Sequence, residues 1–235
     1  MKISLVIPAY NEENYIGECI DCAILASHGR LHEIIVVNNA STDKTKEIAI
    51  RKGVRVVDEP EKGLTKARQR GLIEATGDYI AYIDADTRMP NNWFDKIEYY
   101  FSKKPDMVCL SGPYKYYDAS LYQKIVMSIL WYTSAPIVYR FVGYMVLGGN
   151  FIAKKSALLD IGGFDKNIDF FGEDTDIARR LSKTGKVVFK MDFFIRTSCR
   201  RLKKEGLIIT NIKYGLNFIW EVFFHRPFTN KSTDI

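Results

Sequence analysis

Apolar residues keep two alternating rhythms along the first half of the chain. Short runs rich in β-branched residues (Lys2–Ile7, Glu33–Val37, Val54–Val57, Tyr79–Ile83 and Met107–Ser111) read as strands. Between them, Glu13–Ser27, Asp43–Lys52, Thr65–Ala75 and Asn92–Ser102 read as helices. Alternation at this spacing predicts right-handed crossovers and an α/β fold, with a mostly parallel sheet covered by helices on both faces. Ligands of such sheets sit beyond the carboxyl ends of the strands. The polar residues after the strands are therefore those to read for chemistry: Pro8-Ala9-Tyr10-Asn11-Glu12, Asn38-Asn39-Ala40-Ser41-Thr42-Asp43 and Asp84-Ala85-Asp86.

The second half is less regular. Leu121–Leu147 is strongly apolar and aromatic and is closed by Gly148-Gly149-Asn150. Gly162-Gly163-Phe164-Asp165 reads as a turn, Glu173–Lys183 as a helix with Gly185 after it, and Leu207–Phe224 as a last long helix. The charge-free run between Lys124 and Arg140 falls short of the roughly 18 residues of a spanning helix, and Pro136 interrupts it, so no transmembrane helix is expected. The apolar run Ile3–Ile7 is too short for a signal peptide.

Composition narrows the class. With 235 residues, 47% of them hydrophobic and 26% charged, the chain is neither disordered nor fibrous and can bury one large core. Cys19 and Cys22 form a C-x-x-C with no second ligand pair, so they and Cys109 and Cys199 are expected as free residues of a reduced, cytoplasmic protein. The net charge of +6 is concentrated at the end: from Arg196 onward eight basic residues stand against three acidic ones. They form no stripe interleaved with strand aromatics, so nucleic acid is not an expected partner.

Four positions carry chemistry of their own. Asp84 and Asp86, two apart at a strand end, can turn both carboxylates toward one hard cation, magnesium or manganese, that bridges to a diphosphate. Arg68 falls on the apolar stripe of its helix with Leu64, Ala67, Leu72 and Ala75, so its guanidinium needs an anion: Asp84, Asp58, or a bound phosphate or nucleotide. Asp174 opens a helix whose inward positions are Ile177, Ala178 and Leu181. It is either an N-cap or a general base held ionised by the helix N-terminus.

Taken in order, Pro8–Glu12, Val36–Asp43, Lys62–Arg68, Asp84–Asp86 and Gly172-Glu173-Asp174 resemble the motifs of the family 2, GT-A fold glycosyltransferases, over residues 2 to about 190. The resemblance implies a Rossmann-like sheet and a metal-dependent, inverting transfer of a sugar from a nucleotide-diphosphate donor. It implies donor contacts at Pro8, Ala9, Tyr10, Glu12, Asn39, Arg68, Asp84 and Ala85. The divalent metal (Mg2+ or Mn2+) would lie on Asp86 with Asp84, and the base would be Asp174 of the Glu173-Asp174 pair. Residues 1–110 would then form the nucleotide-sugar and metal half, 111–195 the acceptor and base half, and 196–235 a basic, amphipathic extension. Where the family has an acidic residue reading the base, this chain has Asn39, whose amide offers a donor and an acceptor and still suits uracil.

Two other classes stay in view. A nucleotidyltransferase of similar fold would carry a glycine-rich basic loop after the first strand, which Pro8–Glu12 is not. A non-catalytic nucleotide-sugar-binding protein would not need both Asp86 and Asp174. For the acceptor, a glycan or lipid-linked hydroxyl, the candidate contacts are Gly149, Asn150, Phe171, Arg200 and Arg201, with Phe170, Tyr114, Tyr116 and Tyr117 as walls. In Leu207–Phe224, Thr210, Lys213, Asn217 and Glu221 form one polar stripe on an otherwise apolar helix flanked by cations. That pattern predicts peripheral contact with an anionic membrane on its cytoplasmic face, against packing of the apolar face on the protein's own body or on a second subunit in a homodimer.

Overall fold

The computed structural model describes residues 1–168 and 172–224. A seven-stranded sheet runs in the order β3-β2-β1-β4-β8-β6-β9. Its strands are β1 (Ile3–Ala9), β2 (Leu31–Asn38), β3 (Arg55–Asp58), β4 (Tyr79–Ile83), β6 (Met107–Ser111), β8 (Asn150–Lys154) and β9 (Lys186–Phe189). Every neighbouring pair is parallel except the two made by β8, which runs against both β4 and β6. The crossover helices are α1 (Ile16–Ser27), α2 (Thr45–Arg51), α3 (Leu64–Glu74) and α4 (Trp93–Lys103). They form because apolar positions recur every third or fourth residue: Ile16, Cys19, Ile20, Ala23 and Ala26 of α1 are all buried. The sheet is apolar on both faces, with one cluster around Leu5, Ile7 and Phe94 and another around Val6, Tyr82 and Phe151. The expected architecture is the one found.

A second, three-stranded sheet joins β5 (Thr87–Arg88), β10 (Ile195–Thr197) and β7 (Tyr114–Tyr116). It pairs Thr197 with Thr87, and so brings α8 (Arg200–Glu205) to the rim where β4 ends. The remaining helices are α5 (Leu121–Val142), α6 (Lys155–Asp160), α7 (Glu173–Leu181) and α9 (Leu207–Phe224).

One expectation is overturned here. Pro136 does not interrupt α5, which runs unbroken through it for 22 residues. The proline removes a single N–H, while Thr133 and Ser134 in the preceding turn donate their hydroxyls to the carbonyls of Ile129 (2.7 Å) and Leu130 (2.5 Å). Gly143, at φ 82°, then closes the helix in the left-handed region. By length and composition α5 is long and apolar enough to cross a membrane.

Candidate active site

The ends of β1, β2 and β4, the start of α7 and the inner side of α8 surround one cavity of about 940 Å³. Its polar end carries Pro8, Ala9, Tyr10, Glu12, Asn39, Arg68, Asp84, Ala85, Asp86, Glu173 and Asp174. Its other end lies between α5 and α9.

Two cations organise the polar end. Arg68, 2% exposed on α3, gives one guanidinium nitrogen to Glu173 and the other to Asp84 at 3.3 Å. Of the three partners open to it in the sequence, Asp84 is therefore one; Asp58 is instead paired with Lys46. Arg200 reaches from α8 to Glu12, with Nη1 at 2.8 Å, and to Asp86, with Nε at 3.2 Å. Asp86 also accepts a hydrogen bond from Thr197 at 3.0 Å. Burial pushes the Asp86 carboxyl up to about 7; Arg200 opposes the rise, and Asp84 and Glu12 add to it. Burial likewise raises Glu12 against the pull of Arg200.

The Glu173-Asp174 pair is split as helix geometry demands. Glu173 is buried on Arg68, and its carboxyl is lifted to about 7 by burial against the pull of that guanidinium. Asp174 lines the cavity, half-buried, and its Oδ1 accepts from the Thr175 amide at 2.9 Å. Burial raises its pKa, which strengthens it as a base. Ile177, Ala178 and Leu181 are fully buried beneath, so Asp174 is held by a packed helix. Asp174 is not the N-cap, a position held by Gly172.

Several predicted residues have other work. Asn39 donates both amide hydrogens to the carbonyls of Glu59 (3.1 Å) and Glu61 (2.7 Å) and accepts from the Gly63 amide (2.9 Å). The donor-plus-acceptor face expected of it is thus spent on the loop, leaving one lone pair on Oδ1. Asn150 is no acceptor contact: it is fully buried, donates to the carbonyls of Gly112 and Phe193, and accepts from the Trp93 indole. It ties β8 to its neighbours because that is where otherwise unpaired backbone carbonyls lie. Arg200, expected at the acceptor, sits on the carboxylates of Glu12 and Asp86. Arg201 lines the cavity and donates to the Tyr214 hydroxyl at 2.7 Å. Phe170 and Phe171 lie outside the described residues. Gly149 lines the cavity, as do Tyr114 and Tyr116, whereas Tyr117 stacks under Arg88. Cys19 is buried with its thiol pushed up to about 12 by burial, so the C-x-x-C is not a reactive pair.

The sequence model described as glycosyl transferase family 2 matches residues 4–162. The chain belongs to this family. An uncharacterised glycosyltransferase of Mycobacterium bovis is 29% identical over 195 residues, covering 81% of this chain and 83% of that protein. The dolichol-phosphate mannosyltransferase of Pyrococcus furiosus is 36% identical over 102 residues, 41% of this chain but 29% of that protein. The match to glycosyltransferase GlyA of Streptococcus pneumoniae covers only 14% of its length, so this chain spans a small part of several relatives it matches. Among solved structures, a mannosyltransferase of Pyrobaculum calidifontis in complex with GDP-Man and Mn2+ superposes with a TM-score of 0.71 at 19% identity. That superposition covers 94% of this chain and 63% of the other. Glucosyl-3-phosphoglycerate synthase of Mycobacterium tuberculosis, in complex with Mn2+, UDP and phosphoglyceric acid, gives 0.66 at 19% identity, covering 94% and 78%. At that identity the likeness is one of fold, and the fold is GT-A.

Seen as a family 2 glycosyltransferase, the chain has two features whose place sequence reasoning did not give, having named Gly149 and Arg200 only as acceptor contacts. A Cβ on Gly148 would lie 2.7 Å from Arg68 Nη2 and 2.5 Å from Glu173 Oε1, and one on Gly149 would strike the Asp84 carboxylate. The glycine pair forms the turn before β8, closed by the Asn150 amide on the Leu147 carbonyl at 2.9 Å, and it is the charged cluster that leaves no room there for a side chain. Arg200 is the other; its signal was only a basic run after β10. Among the described residues no group of three or more His, Cys, Asp or Glu side chains is arranged around a metal. Asp84 and Asp86 nevertheless suit one: hard oxygen donors on one rim, with Glu12 close enough to raise the Asp86 carboxyl. Mg2+ and similar ions are often held by one or two carboxylates plus substrate phosphates.

Proposed function

We propose that this glycosyltransferase is inverting and moves a sugar from a nucleotide-diphosphate donor, a UDP-sugar first, to a hydroxyl of a glycan or lipid-linked acceptor. The observation that carries this reading is that Asp86 and Asp174, from strand and helix ends far apart in sequence, line the same cavity. Pro8, Ala9, Tyr10 and Glu12 cradle the nucleoside. Asn39 Oδ1 keeps one lone pair, which can accept the imide N–H of uracil. Arg68 anchors Asp84 and Glu173, so the anionic wall beside the diphosphate keeps its shape. A divalent ion on Asp86 and Asp84 would supply positive charge to the leaving diphosphate; the Mn2+ complexes of the two structural neighbours support it. Asp174 accepts the proton of the acceptor hydroxyl as its oxygen bonds to the anomeric carbon. The bond from that carbon to the diphosphate oxygen breaks on the opposite side, which inverts the centre. Cys19, Cys22, Cys109 and Cys199 would stay free in a reducing compartment.

Thermal shift with UDP- and GDP-sugars, with and without Mn2+, tests this reading, together with transfer by Asp86→Ala. The expected result is a metal-dependent shift with a UDP-sugar that Asp86→Ala abolishes along with transfer. Full transfer by the variant, or by the native chain in EDTA, would overturn the metal assignment.

A further inference from the structure

α5 is apolar on every side and yet lies mostly outside the core. Met127, Trp131, Ala135 and Val138 form its line of contact with the body. On the far side Tyr122, Ile125, Ile129 and Ile137 are 50% to 71% exposed. A helix hydrophobic all round belongs in a protein core or in lipid, and among the described residues this one has protein on one side only.

α9 has the same character, built the other way round from a helix on a wet surface. Its polar stripe points inward: Thr210, Asn217 and Glu221 are at most 2% exposed. Ile209, Leu216 and Phe223 are 46% to 73% exposed. The two helices are neighbours, since Asn211 donates to the Met127 sulfur at 3.4 Å and Phe218 packs with Trp131 and Ala135.

Charge selects the missing partner. From Ala119 to Leu159 the chain has no acidic residue. Arg140, exposed, stands near the C-terminal end of α5, and about 24 Å away at the rise of a helix Lys124, also exposed, donates one of its three N–H groups to the Tyr117 carbonyl at 3.2 Å and keeps two for a headgroup. α5 is also fixed to the body along its length, from the cluster with Cys199 and Leu202 near Met127 to the Tyr139 hydroxyl, which donates to the Val187 carbonyl at 2.9 Å. Crossing a bilayer would break those contacts, whereas lying in its surface keeps them.

We propose that the outer faces of α5 and α9 together seat this protein in the surface of an anionic lipid bilayer, with α5 in the membrane plane. Acyl chains cover the isoleucines, while Lys124 and Arg140 extend to anionic headgroups. The inference rests on the reading of the acceptor as membrane-associated and deepens it. The apolar end of the cavity, at Met127, Trp131 and Phe218, lies between the two seated helices, so an amphiphilic acceptor reaches Asp174 without leaving the lipid surface.

Flotation of the full chain with vesicles of phosphatidylcholine and phosphatidylglycerol tests the proposal. The native chain floats with these vesicles and less with phosphatidylcholine alone. Ile125→Glu combined with Ile129→Glu lowers the floated fraction by about 10-fold or more. Ile50→Glu with Ile73→Glu, at equally exposed positions of α2 and α3, leaves it unchanged. Thermal melting and the nucleotide-sugar shift, both without vesicles, stay native in all variants. Loss of flotation with intact donor binding thus speaks to seating alone, and flotation without donor binding would break only the functional reading. A native chain left in the soluble fraction, or an α5 variant that floats as well as the native chain, would overturn the proposal. So would a native dimer in sedimentation that Ile129→Glu splits, which would assign the face to a second copy.

Discussion

In β1, β2 and β4 the apolar side chains turn into two packed layers, and the charged groups gather at the rim, each facing an opposite charge. In α9 the arrangement is turned round, with threonine, asparagine and glutamate inside, and both α5 and α9 carry isoleucine, leucine and phenylalanine outside. Both regions border the same cavity. The difference teaches that one chain can be built for two solvents, with the reacting groups placed where they meet. Polar residues at the rim hold charge for chemistry, while beneath α9 Thr210 and Asn217 donate to the carbonyls of Gly206 and Lys213 one turn back and Glu221 is buried beside Arg179.

The largest expected effect tests the rim side. Asp174→Asn removes the proton acceptor and keeps the shape, so turnover falls by about 10²-fold or more with donor affinity nearly native. Glu173→Gln acts differently, because it leaves the buried Arg68 with less negative charge beside it. It lowers donor affinity and melting temperature together. Steady-state kinetics and thermal melts separate the two. If Glu173→Gln cut turnover more than Asp174→Asn while melting normally, the division of labour within the pair would be reversed.

A smaller loss follows from the glycine pair. Gly148→Ala places a methyl group among Arg68 and Glu173, whose side chains have little room to yield. The guanidinium shifts, Asp84 loses its anchor, and donor affinity drops by about 10-fold, as expected for one disturbed charged contact. Gly143→Ala is the control within the helix-pair region: no atom lies within 4 Å of its Cβ, so only its left-handed backbone is strained. It lowers stability modestly and leaves donor affinity unchanged. A Gly148→Ala protein that bound nucleotide-sugar normally would mean the cluster is softer than its burial implies.

The legibility of the two regions differed in the same way. The strands of the large sheet up to β6 and the helices between them were readable because local periodicity and core burial agree there, and β4 and β6 match their sequence-read bounds to the residue. β8 was hidden, since Asn150–Lys154 follows two glycines and its antiparallel place in the sheet depends on partners far away in sequence. Arg68 and Asp174 were legible from helical geometry alone. Arg200 was not: its position depends on the β5-β10-β7 sheet, which no local pattern announces. The polar stripe of α9 was visible, but its direction was not. Periodicity says that a helix has two faces and is silent on which solvent each one meets.

That direction can be tested at Glu221, with the smallest effect of the set. Glu221 is 0% exposed, and among the described residues neither carboxylate oxygen has a hydrogen-bond partner; Arg179 is 3.8 Å away. Burial lifts its pKa to about 7 from an ordinary 4.5, with Asp176 and Asp165 adding to the rise and Arg179 and Arg180 opposing it. Between those two values the folded protein holds a proton that the unfolded chain has released. The stability this gives is complete below about 4.5 and is lost as pH rises through about 7. Asp86 and Glu173 contribute slopes of the same sign, so the native curve alone cannot isolate Glu221. Glu221→Gln removes only its own share. The variant should equal or exceed the native protein at about pH 8, by an amount on the order of 1 kcal/mol, and lose that advantage at about pH 5. Melting temperatures at the two pH values read the difference. Equal melting at both would place Glu221 in water, turn the polar stripe of α9 outward, and remove the contrast between the two regions.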